Sequence, residues 1–151
     1  MTISNEPLLS DIFSTIGAVM LTNATLKTKL GATEKLLRLY RNHPKSHVSY
    51  PRIIMTQVGQ NNQSQRKMAI DYFILLTLYT NKEDHADEDI IVREIMSEFD
   101  EKEDKDYSIN NTKIEWIQFD NTSASLWDEE HRVWITPINL IVKARRKNNI
   151  T

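Results

Sequence analysis

The segment KMAIDYFILLTLYT, Lys67 to Thr80, constrains this chain more than any other. Its first half alternates, with Met68, Ile70 and Tyr72 on one side and Ala69 and Asp71 on the other. From Phe73 onward both sides are apolar: Ile74, Leu76 and Leu78 face one way, Phe73, Leu75, Thr77 and Tyr79 the other. A period of two is the mark of a β-strand. A strand apolar on both sides lies at the centre of its sheet, or is covered on both faces where it passes a neighbour. The segment also exceeds the ~5–6 residues usual for a globular strand. The remaining sequence must therefore supply neighbours and cover for one long strand.

The neighbours are found on both sides of it. Arg52–Val58 reads as a strand, and GQNNQSQR, Gly59 to Arg66, as the polar hairpin loop that joins it to the long one. Lys113–Phe119 alternates Ile114 and Trp116 with Glu115 and Ile117. Arg132–Ala144 places Trp134, Ile138, Leu140 and Val142 on one face, and Pro137 inside it predicts an edge position or a bulge. Asp120–Glu130 reads as a loop anchored by Leu126 and Trp127. The cover comes from helices. Leu8, Leu9, Ile12, Phe13, Ile16, Val19 and Met20 recur at helical spacing over residues 6–21, with Asn5 as N-cap and Pro7 in the first turn. Ile91, Val92, Ile95 and Phe99 form the stripe of a second helix, Asp84–Asp100, whose early acids suit the positive end of its dipole. Between Asn23 and His43 the spacing of Leu36, Leu37 and Tyr40 favours a short helix beginning near Ala32. A strand through Leu37, Leu39 and Arg41 competes with it. Pro44–Pro51 and Glu101–Asn111 read as loops.

The expected fold is α+β: a four-stranded, mainly antiparallel sheet of two hairpins, with two main helices packed on one face. The 151 residues fit a single domain over residues 1–146, followed by a flexible basic tail over 147–151. With no cysteine, disulfides and thiolate metal sites are excluded, and a reducing compartment is the natural setting. No apolar run approaches the ~20 residues of a membrane helix. The start of the chain lacks the basic residues of a signal peptide.

Chemistry finds no foothold. His43 and His47 are separated by Pro44, which breaks the helical turn that would aim both at one metal. His85 adjoins capping acids, and His131 follows Glu129 and Glu130 as in a surface ion pair. No serine sits in a nucleophile elbow, and no two glycines lie close enough for a phosphate loop. The acidic run from Asp100 to Asp106 lacks the glycine and ligand spacing of a calcium loop. Trp116, Trp127 and Trp134 have no interleaved basic cluster for stacking nucleic acid, so core or subunit-interface use is expected. These readings predict a chain that is not an enzyme, has no catalytic residue, metal or cofactor, and binds neither membrane nor specific nucleic acid.

Charge, by contrast, is segregated. Lys27, Lys29, Lys35, Arg38, Arg41, Lys45 and Arg52 are opposed only by Glu34, while Glu83 to Asp106 is strongly acidic, within a net charge of -2. The two regions either neutralise each other within one copy or form complementary flanks through which copies associate head to tail. A basic patch for DNA is the weaker third option, because the acidic region would repel the same ligand. The candidate contact residues are Lys27, Lys29, Arg38, Arg41 and Arg52 on the basic flank and Asp100, Glu101, Glu103 and Asp104 on the acidic one. Gln60, Asn61, Asn62, Gln63, Gln65 and Arg66 in the polar loop complete the set.

The order YPRIIMTQVG, polar loop, KMAIDYFILLTLYT, helix DEDIIVREIMSEF and closing strand WITPINLIVKARR resembles the tail-terminator (tail-completion) proteins of long-tailed bacteriophages. The resemblance covers about residues 1–146 and lies in element order rather than a diagnostic motif. It implies an α+β subunit of a hexameric ring that caps the tail tube, stops its polymerisation and presents a surface to the head–tail connector. In contractile-tailed phages the ring also meets the sheath. The resemblance carries no catalytic residue and no cofactor, and it implies a loop at Gly59–Arg66 that projects toward tube or neck. Another neck, connector or baseplate adaptor protein is the alternative reading, and a small ligand-binding domain or hydrolase the weaker one.

Overall fold

The computed structural model describes residues 9–31, 38–41, 50–64, 69–83, 85–99, 109 and 112–146, the side chains of 61–64, 69 and 146 excepted. Helix α1 (Leu9–Leu21) is followed by α2 (Ala24–Lys29), β1 (Leu39–Tyr40), β2 (Arg52–Ser64) and β3 (Ala69–Thr80). A 3₁₀ turn (His85–Asp87) then leads into α3 (Glu88–Phe99), β4 (Thr112–Thr122), β5 (Leu126–Asp128) and β6 (Val133–Arg146).

The α+β class holds, with more strands than expected. The sheet has six strands in the order β1-β2-β3-β6-β4, and β5 pairs with β6 beyond the end of β4. Only the β1–β2 pair is parallel; β2–β3, β3–β6, β4–β6 and β5–β6 are antiparallel. β3 lies at the centre, as its double-sided pattern requires. Ile70, Tyr72, Ile74, Leu76, Leu78 and Thr80 are all buried, whereas Asp71, Phe73, Leu75, Thr77 and Tyr79 are half-buried. The buried face of the sheet and the three helices share one apolar cluster. It joins Ile12, Ile16 and Met20 of α1, Leu26 at α2, Ile91, Ile95 and Phe99 of α3, and Ile74, Leu140 and Val142 of the sheet. Each such aliphatic side chain, fully buried, contributes roughly 1.5–3 kcal/mol.

Several boundaries differ from the sequence expectation, each for a physical reason. The expected short helix beginning near Ala32 falls largely outside the described residues, while a short helix lies at Ala24–Lys29. Asn23 caps it, its Oδ1 accepting from Leu26 N, and Gly31 ends it at φ +59°, a conformation suited to glycine just past a helix. A side chain at Gly31 would also strike the Arg38 guanidinium. Leu39–Tyr40 is strand, as the competing reading had it. The hairpin loop is shorter than GQNNQSQR, because β2 continues through Ser64 past an irregularity between Gln57 and Gly59. Val58, at that bulge, is 56% exposed. β4 extends to Thr122, and a register shift between Ile114 and Trp116 lets Ile114 and Ile117, three apart, share the buried face. Leu126 and Trp127 are not loop anchors: they belong to β5 and are 68% and 36% exposed.

Pro137 is neither at an edge nor at a bulge. It pairs with Thr77 of β3 in the interior strand β6. Its carbonyl accepts from Ser123 N at 3.2 Å and from Thr122 Oγ1 at 2.9 Å, where β4 has ended and β5 has not begun. The N–H and C=O of a strand residue point the same way. The donor that proline lacks would therefore have faced Ser123, in the segment between β4 and β5, rather than a residue of a paired strand.

The expected helix start around Asn5, Pro7 and Asp84, the loops over 42–49 and 101–108, Lys67, Met68 and the basic tail lie outside the described residues. So do Leu36 and Leu37.

Candidate assembly surface

The charged residues chosen from sequence fall into different environments. Lys29 Nζ meets Asp87 Oδ1 at 3.0 Å across the α2–α3 contact, with both side chains about one-third exposed. Asn23 Nδ2 donates to Glu94 Oε2 and Glu98 Oε1, each at 3.0 Å. The basic and acidic regions thus touch within one copy. Arg38 turns inward and donates to three backbone carbonyls: Pro51 at 2.7 Å, Tyr50 at 3.2 Å and Lys29 at 3.3 Å. It ties the end of α2 to the start of β2. Arg41 is exposed and lies 4.6 Å from the centroid of the Phe13 ring. Arg52 sits 4.6 Å from the Tyr50 ring and 5.9 Å from the Tyr79 ring. Burial raises the Tyr79 phenol above its ordinary pKa, against the opposing pull of Arg52. Lys27 is exposed on α2. Gln60 is exposed and accepts from Gln57 Nε2 at 3.1 Å, while Asn61, Asn62 and Gln63 belong to β2. Gln65, Arg66, Asp100, Glu101, Glu103 and Asp104 lie outside the described residues.

A surface that charge counting missed lies on the sheet. All three helices occupy one face, and no described helix or strand packs on the other. This second face carries Phe73, Leu75 and Tyr79 of β3 and Ile135, Pro137 and Ile141 of β6, all half-buried, and Ile54 of β2, which is 5% exposed. Trp116, 36% exposed, stands beside them opposite Lys143. Arg52, Lys113, Lys143 and Arg145 form a largely basic border, in which Arg145 Nε pairs with Glu115 Oε1 at 3.1 Å. An apolar centre with a polar rim is the anatomy of a protein contact. The signal was present in the double-sided pattern of β3, which stated that both faces are apolar without stating what covers the second.

A second feature lies at the end of the sheet. Asn81, Lys82, Glu83, Trp127, Arg132 and Trp134 line a cleft of ≈ 700 Å³. His85 stacks on Trp134 with centroids 4.4 Å apart, and Trp127 tilts against Trp134 at 5.3 Å. Beneath them runs a polar chain. His85 Nδ1 lies 3.2 Å from both Thr80 Oγ1 and Glu88 Oε2, the Ser125 hydroxyl donates to Glu88, and Thr136 donates to Ser125 at 3.1 Å. Ser125 contacts the Glu88 carboxylate rather than the His85 imidazole. The chain fastens the start of α3 to β3 and β6. At the β5–β6 turn, Asp128 Oδ1 accepts from Glu130 N and His131 N, and its Oδ2 lies 2.8 Å from His131 Nδ1. That hydrogen bond raises the His131 pKa and lowers that of Asp128. Among the described residues no group of three His, Cys, Asp or Glu could hold a metal, and no helix is long and apolar enough to cross a membrane.

No protein-family model and no curated protein matches the chain. Its fold is similar to that of a solved chain described as part of the virion of a native gene transfer agent (GTA) particle. The TM-score is 0.71, over 89% of this chain and 94% of that one, at 8% sequence identity. What the two share is the fold.

Proposed function

We propose that this chain is a structural subunit of a phage-like virion, and that it acts there as a tail terminator. Copies form a ring, a hexamer by the family resemblance, that caps the tail tube, halts its polymerisation and presents the head-joining surface. Its partners are other copies of itself, the tail tube protein, the head–tail connector protein and, in a contractile tail, the sheath. It works by contact, without catalytic chemistry or cofactor. The observation that carries this reading is the fold similarity to a virion chain over nearly the full length of both molecules. The resemblance in element order and the apolar second face of the sheet support it.

Electron microscopy of particles assembled without this protein tests it. Overlong tubes with unattached heads are expected. Tails of normal length that fail to join heads would replace the terminator with a connector, and unaltered particles would refute a virion role altogether.

A further inference from the structure

We infer that the cleft at the end of the sheet is a binding site for a neutral saccharide. The inference goes beyond the virion reading and does not depend on the ring.

Both indoles of the cleft are held by their neighbours. Trp127 and Trp134 are cross-strand partners of β5 and β6, so they stand on the same face of the sheet. Trp127 Nε1 donates to Glu129 Oε2 at 2.6 Å, which fixes a ring that is 36% exposed. Trp134 has His85 stacked on it, and His85 is fastened in turn beside Thr80 and Glu88. Side chains already ordered in this way lose little freedom when a ligand arrives.

Arg132 is a second sign of construction. It ends the four-residue turn between Asp128 and Val133, a cross-strand pair, with φ +56°. That left-handed conformation suits glycine and is costly for any residue with a side chain. The chain nevertheless has arginine there, and it lines the cleft with Lys82 and Glu83.

The lining selects the ligand class. Lys82 and Arg132 only donate hydrogen bonds, and the Glu83 carboxylate only accepts them. The two cations stand against Glu83 in the lining and Glu129 at its border, so neither an anion nor a cation is favoured. Hydroxyl groups both donate and accept, and they satisfy such a set. The face of an indole carries negative charge density, which attracts the positively polarised C–H bonds on the flat side of a sugar ring. A pyranose joins that flat side to a border of hydroxyls. The cleft, at ≈ 700 Å³, lies within the ~300–1,000 Å³ usual for ligand sites. A polyproline segment would use the indoles but has no N–H to offer Glu83.

Isothermal titration calorimetry of the full chain with cellotriose, maltotriose and triacetylchitotriose, each to about 10 mM to reach the weak end of the affinity scale, tests this, together with a glycan array. At least one neutral saccharide is expected to bind. Trp127→Ala, checked for folding by circular dichroism, is expected to weaken that binding by about tenfold or more, and Trp127→Phe to recover part of the loss. Arg132→Gly should also weaken binding, yet leave Tm unchanged or higher, because glycine accepts the left-handed turn. No saccharide bound in either assay would overturn the inference, as would wild-type affinity in Trp127→Ala or Arg132→Gly. Binding of a polyproline peptide in place of sugars would assign the cleft to a protein partner and overturn it as well. None of these readouts involves the oligomer, so the virion reading stands or falls separately.

Discussion

Replacing Asn23 tests how the small helix α2 is held to the rest of the core. The side chain does two jobs: Oδ1 accepts from Leu26 N at 3.0 Å, and Nδ2 donates to Glu94 and Glu98 at 3.0 Å each. Asn23→Ala removes all three bonds. Loss of an N-cap costs about 1 kcal/mol. Hydrogen bonds to charged groups contribute ~1.5–3 kcal/mol when buried, but these are partly exposed and water replaces much of each, leaving about 0.5 kcal/mol apiece. The expected loss is about 2 kcal/mol, a fall of roughly 4–8 °C in Tm for a chain of this size. Thermal and urea unfolding, followed by circular dichroism, measure it. Asn23→Asp separates the two jobs. Aspartate caps a helix as well as asparagine does, yet it brings a third carboxylate against Glu94 and Glu98 in place of their donor. Asn23→Asp should therefore be at least as destabilised as Asn23→Ala at neutral pH. An aspartate variant close to wild type would show that the cap alone matters and that the α2–α3 bonds contribute nothing.

Three further outcomes are expected. Ile95→Ala, at a fully buried position, should cost about 2–5 kcal/mol in denaturant unfolding, whereas Ile90→Ala, on the same helix but exposed, should leave stability within about 0.5 kcal/mol. Pro137→Ala should change stability by less than about 1 kcal/mol, because no ladder partner is gained or lost, but Ile141→Pro, opposite Gln118 of β4, should cost about 3 kcal/mol or more. His131 should titrate above the ordinary histidine range in an NMR pH series, and Asp128→Asn should return it there. Because the folded pKa is raised, the small stabilisation from this pair is fully present below the unfolded value and is lost as pH rises through the folded one.

Much of the fold was legible in strong periodicity. The run Phe73–Tyr79 announced a central strand, and Ile91, Ile95 and Phe99 announced a helix, because burial on one face leaves a repeat that does not depend on distant partners. Elements that depend on partners were less legible. Leu39–Tyr40 is a strand only because β2 lies parallel beside it, and Gly59–Ser64 is a strand only because β3 offers a ladder to polar residues. Pro137 broke a sequence rule for the same reason: its missing donor faces the segment between β4 and β5, set by where two other strands end and begin. The candidate contact residues divide likewise. Charge segregation was visible in the chain, but Arg38 proved to hold backbone carbonyls and Lys29 to pair with Asp87, which only folding could bring together.

The sequence by itself determined the α+β class, the central strand and the sides of the helices that face the core, since these follow from the spacing of apolar residues along one chain. It also determined that both faces of β3 are apolar. Only the tertiary structure decided that the helices cover just one of those faces. Cover is a relation between segments far apart in sequence, and spacing along any one of them is silent about it. The second face, with Phe73, Leu75 and Tyr79 half-buried on it, is turned away from all three described helices.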